Sequence, residues 1–176
     1  VLTYLIPVYV VVRNDGDGKG PRVDKVRIRL VGHQMRERAS ARSFFTVRAM
    51  SWIAPDPASY AGKGEGSGHC VAFVQAAAHA PHTSYWRRGV KVRGNQVATG
   101  TAIATFSRDG RYENRVDGAS HAAILIAQDG GGLRVWDQWK GHPVSQRTIR
   151  WKGGQGTANN DGDAYFVIEG PPPTAA

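Results

Sequence analysis

The chain has one cysteine among its 176 residues. An internal disulfide framework is therefore impossible, and so is any zinc site built on several thiolates. No apolar run approaches the ~20 residues that carry a helix across a bilayer. The first twelve residues are apolar and rich in β-branched types. No basic segment precedes that run and no small-residue cleavage pattern follows it, so it does not read as a secretory signal. No Gly-x-Gly-x-x-Gly or phosphate-loop pattern is present. The glycines at 62–68 are not followed by the Lys-Ser/Thr that would hold a nucleotide. Acidic residues are scarce, 14 against 23 Lys and Arg, a formal net charge of +9. A balance this basic suits an anionic partner such as nucleic acid, a membrane surface or a cell-wall polymer.

What is present is unevenly spread. Residues 1–49 hold ten Lys/Arg and four Asp/Glu, a net of +6, whereas residues 50–176 hold thirteen and ten, a net of +3. A domain boundary is placed near residue 50, where Met50 stands and the composition becomes that of an ordinary globular protein. Residues 1–49 are either a genuine basic N-terminal segment or an appended, mis-assigned start. Residues 50–170 form the main domain, and 171–176 a disordered Pro-rich tail.

Within 50–170 the excess of glycine, 22 in the whole chain, resolves into turns. The Gly-rich stretch 62–68 reads as a flexible approach loop, and 70–80 as a short buried helix ended by Pro81. Strands are expected at 101–106, 121–127, 133–139, 148–151 and 164–168, with a hairpin turn at 129–132. One helix followed by an antiparallel meander is an α+β pattern.

Cys70 stands where the glycine loop turns into the helix. Free N–H groups and the helix dipole stabilise an anion there, so a thiol is pushed toward thiolate. The ordinary alternative is an inert cysteine packed beside Phe73 and Val74. A thiolate nucleophile needs a base. His121 opens a strongly apolar strand, where a polar residue is costly without partners or a task. His33 lies outside the main domain, His69 adjoins Cys70 but points elsewhere, His79 and His82 flank Pro81, and His142 reads as loop. An orienting acid is sought on the next strand. A turn centred near residue 130 sets position 121 against 138 or 139. Asp137 and Gln138 are both candidates, and alternation lets only one share a face with His121. Asp137 is preferred because a carboxylate also stabilises imidazolium.

The segments Gly68-His-Cys-Val-Ala-Phe-Val-Gln75, Gly-Thr-Ala-Ile-Ala-Thr-Phe at 100–106, Asp-Gly-Arg-Tyr at 109–112, His121-Ala-Ala-Ile and Asp137-Gln-Trp carry a resemblance. Together, over roughly 51–169, they resemble the papain-like CHAP and NlpC-type peptidoglycan amidases. More narrowly, they resemble one family of type VI secretion amidase effectors. The resemblance implies a papain-like core, with a Cys-bearing helix packed on an antiparallel sheet carrying the histidine. It implies hydrolysis of amide bonds in peptidoglycan stem peptides or cross-links, without metal or other cofactor. It also implies release without a signal peptide, action in a rival cell's periplasm, and a cognate immunity protein as partner. Cys70 maps to the nucleophile, His121 to the base, and Asp137 to the third position. Tyr85, Trp86, Trp136 and Trp139 are aromatic residues able to line a substrate groove, though core packing is the ordinary role of each.

Two readings of other classes compete. A non-enzymatic basic module would bind nucleic acid or an anionic membrane through residues 19–48. Apart from Tyr85-Trp86-Arg87-Arg88, the main domain has no run of interleaved basic and aromatic residues to support it. A metal enzyme using His69, Cys70, His121 and Asp137 lacks any recognised ligand spacing. Thiol alkylation, salt dependence and chelator sensitivity separate the three.

Overall fold

The computed structural model describes residues 50–170. The expectations for 1–49 and 171–176 lie outside the described residues. Seven strands and one helix make up the domain: β1 (Met50–Ser51), α1 (Cys70–Ala78), β2 (Arg87–Lys91), β3 (Ala102–Thr105), β4 (Ala122–Asp129), β5 (Gly132–Trp139), β6 (His142–Arg150) and β7 (Tyr165–Gly170). All strands join one antiparallel sheet in the order β1-β7-β3-β4-β5-β6, with β2 also on β7. No helix among the described residues is long and apolar enough to cross a membrane.

The central strands are buried on both faces, which is why β3 reads Ala-Ile-Ala-Thr with every residue buried. On one face Ala102, Ala104, Ala122 and Ile124 meet Phe73, Val74, Ala77 and Ala78 of α1. Three of those four sheet residues are alanines, so the helix lies close to the strands and Phe73 fills the remaining depth. On the other face Ile103, Ala123, Leu125, Leu133, Val135, Ile149 and Tyr165 form a second cluster, joined from outside the central strands by Val92. Burial of each large side chain contributes on the order of 1.5–3 kcal/mol.

The α+β expectation holds, with four differences of detail. The strands do not form a simple meander: β3 to β6 do, but β7 returns to the far side of β3. The strand β2 has no sequence signal, because Arg-Arg-Gly-Val-Lys lacks apolar alternation. Both of its ends pair with β7 around an irregularity. The helix ends at Ala78 rather than running on to Pro81. His79 takes a left-handed conformation (φ 53°), and that turn closes the helix before the proline is reached. Finally, His142 and Pro143 open β6 instead of lying in a loop. That strand is the edge of the sheet, where a residue without an N–H is tolerated.

Candidate active site

The glycine loop delivers Cys70 to the first position of α1. Gly68 has φ +77°, a conformation that side chains with a Cβ rarely adopt. His69 is the residue before the helix and supplies no side-chain cap. The loop is pinned by Gln138 of β5. Its side-chain oxygen accepts from the Glu65 N–H at 2.9 Å, and its Nε2 donates to the carbonyls of Glu65 and His69, each at 2.9 Å. Gln138 is fully buried, so these three bonds satisfy an otherwise costly amide.

His121 and Asp137 meet across the β4–β5 pair. Ile124 is opposite Trp136, with an irregularity between Leu125 and Ala127. Ala123 then faces Asp137, and His121, two residues back, is its diagonal neighbour. His121 Nε2 lies 2.8 Å from Asp137 Oδ2, with both side chains buried. Alternation sends Asp137 to His121 and Gln138 to the glycine loop. With Nε2 engaged, Nδ1 is the ring nitrogen left for the thiol.

The electrostatics follow from this packing. Burial raises the Cys70 thiol. The hydrogen bond and charge of His121, the Tyr112 hydroxyl and the Ala122 backbone outweigh it, and the net shift is downward. Burial disfavours the His121 imidazolium, but the hydrogen bond to Asp137 and the interaction with Cys70 lift its pKa to about 9. The pair therefore favours thiolate and imidazolium.

Two further groups join the site. Tyr112 places its hydroxyl 3.7 Å from Cys70 Sγ. Its ring is held between Trp86, at 4.9 Å, and Phe106, at 6.3 Å. Burial and the neighbouring Cys70 raise its pKa well above the ordinary phenol value, so it stays a donor. Its only sequence signal is the Asp-Gly-Arg-Tyr segment, which carries resemblance but no chemistry of its own. Arg147 of β6 donates from Nε to Asp137 Oδ2 at 2.7 Å. Apolar patterning does not reveal it, because that pattern starts the strand only at 148.

The aromatic expectations divide. Trp139 lines a cleft and stacks on His142 at 4.2 Å. Trp86 is wholly buried, its indole N–H donating to the Pro81 carbonyl at 2.9 Å, so it shelves Tyr112 rather than lining a groove. Trp136 packs against the helix-side core. Tyr85 is 53% exposed but lines neither cleft at Cys70.

Two clefts meet at Cys70. One, of about 440 Å³, is lined among others by His121, Trp139, Lys140 and Arg147. The other, of about 360 Å³, is lined among others by Gln75, Tyr112 and Asn114. Arg115 and Val116 border both, and among the described residues no carboxylate lines either. No group of three or more His, Cys, Asp or Glu suited to a metal occurs among the described residues.

The family model described as domesticated amidase effector 2 matches residues 43–168. A type VI secretion amidase effector 2 protein of Salmonella typhi is 40% identical over 114 residues, covering 57% of this chain and 84% of that protein. A domesticated amidase effector 2 of Ixodes scapularis is 36% identical over 122 residues, 65% of this chain and 82% of that protein. The solved structure of a type 6 secretion amidase effector 2 superposes with a TM-score of 0.59 at 31% identity, over 71% of this chain and 99% of that one. The helix-on-sheet fold is papain-like, and the chain belongs to the domesticated amidase effector 2 family of amidases.

Proposed function

We propose that this protein is a cysteine amidase that hydrolyses amide bonds in peptidoglycan stem peptides or cross-links, as an antibacterial effector acting in the periplasm of a target cell. A cognate immunity protein covering the clefts is its expected partner. The observation that carries the reading is the convergence of Cys70, His121 and Asp137 where two clefts meet.

Cys70 thiolate attacks the substrate carbonyl and a tetrahedral oxyanion forms. The N–H of Cys70, at the first turn of α1, lacks an intrahelical partner and serves as an oxyanion donor. Tyr112 donates to the sulfur in the resting state. The His121 imidazolium gives its proton to the leaving amine and the C–N bond breaks, leaving a thioester. Neutral His121 then takes a proton from water, the hydroxide attacks the thioester, and Cys70 departs as thiolate. Asp137 holds Nε2 throughout.

The clefts extend to both sides of the sulfur, as a substrate continuing past the scissile bond requires. Arg115 and Lys140 on their walls suit the free carboxylates of stem peptides. Because Cys70 is the only cysteine, iodoacetamide tests the proposal cleanly. Alkylation is expected to proceed below the ordinary thiol range and to remove activity in step with modification. Full alkylation with activity retained would end the cysteine mechanism.

A further inference from the structure

Asp137 of β5 has a diagonal neighbour on each side: His121, immediately before β4, and Arg147 on β6. Val135 pairs with Arg147 and Asp137 with Ser145, so Arg147 stands one diagonal step from Asp137. Its Nε and His121 Nε2 reach the same carboxylate oxygen, at 2.7 and 2.8 Å. The other oxygen, Asp137 Oδ1, is buried without a partner among the described residues. The rest of the guanidinium donates to Asn160 Oδ1 at 3.0 Å and to the Asn159 carbonyl at 3.3 Å, and lies over Trp139 at 5.3 Å.

Asp137 is fully buried. A buried carboxylate is costly to leave without a cation. His121 is a cation for only part of the proposed cycle, since it becomes neutral when it protonates the leaving amine. Arg147 is charged at every step.

We propose that Arg147 is a positioning residue: it keeps the buried Asp137 carboxylate paired and turned toward His121 while the imidazole is neutral, and so lets His121 release its proton. The proposal rests on the assignment of Cys70, His121 and Asp137 above. Without Arg147, loss of the His121 proton would strand a buried anion, and the imidazole would hold that proton to higher pH. The other titratable or charged groups that touch His121 or share its cleft are Cys70 on α1, His69 just before it, Arg115 ahead of β4 and Lys140 in the β5–β6 turn, with Tyr112 and Tyr165 acting on Cys70 and Asp137. They are the same in every variant compared.

The test is the pH dependence of kcat for wild type, Arg147→Met and Arg147→Lys on a defined stem-peptide substrate, with thermal melts alongside. Arg147→Met is expected to move the alkaline limb up by about one unit and to lower kcat about tenfold. Arg147→Lys is expected to keep the limb near that of wild type. A lower kcat or Tm with an unmoved limb, or a limb moved down, would overturn the proposal. If Arg147→Met does not fold, Arg147→Gln removes the same charge and is read in the same way. Iodoacetamide treatment of wild type separates the two levels: activity surviving alkylation rejects the site assignment itself, whatever Arg147 does.

Discussion

At the residue scale, the proposed chemistry rests on a thiol and an imidazole that exchange their usual charge states. The His121 pKa is raised from 6.5 to about 9. It thus contributes stability that is fully present below about 6.5 and is lost as pH rises through about 9. Activity should follow the same limb: kcat/KM is expected to fall above about pH 9, and a profile still climbing there would contradict the proposed acid. Tyr112→Phe removes a donor to Cys70 Sγ, so the acid limb should move upward. An unchanged acid limb would show that the hydroxyl does not hold the thiolate. The candidate residues Cys70, His121 and Asp137, which the fold brings together, can be picked out in the sequence because each is anomalous in its context: a thiol at a helix start, an imidazole opening an apolar strand, an acid between two tryptophans. Arg147 cannot be, since an arginine on a strand looks like an ordinary solvated side chain until the register places it beside Asp137.

At the scale of elements, the proposed site depends on holding the start of α1 against β5. Gln138 does this with three bonds to the glycine loop. Gln138→Ala would leave buried backbone groups unpaired and is expected to cost about 2–3 kcal/mol, read as a lower denaturation midpoint. Gln138→Glu should be worse, because a carboxylate would face two carbonyls. Equal stability of both variants with wild type would remove Gln138 from this role. Phe73→Ala should cost about 3–5 kcal/mol by emptying the helix–sheet contact. The helix, the β4–β5 hairpin and its turn can be read from apolar patterning and glycine. The return of β7 beside β3 cannot, because strand order depends on long-range pairing that local pattern does not encode. The choice between Asp137 and Gln138 also needs the register, which turns on the irregularity between Leu125 and Ala127.

At the scale of the whole molecule, the +9 charge is shared unequally. Residues 1–49 carry +6 of it, while the family match spans 43–168. Among the described residues, Arg115 and Lys140 bring positive charge to the cleft walls that face the proposed substrate. Residues 1–42 lie outside the family match, so deleting them is expected to leave the rate of peptidoglycan cleavage within about twofold of the full chain. Loss of cleavage by a folded truncation would assign the basic segment a part in catalysis. The central claim is that this molecule cuts peptidoglycan amides through Cys70. Its most direct test is mass spectrometry of the fragments released from purified sacculi by wild type and by Cys70→Ala. Wild type should release peptides with newly freed amine and carboxyl ends, and a folded Cys70→Ala should release none. The same fragments from Cys70→Ala would contradict the account.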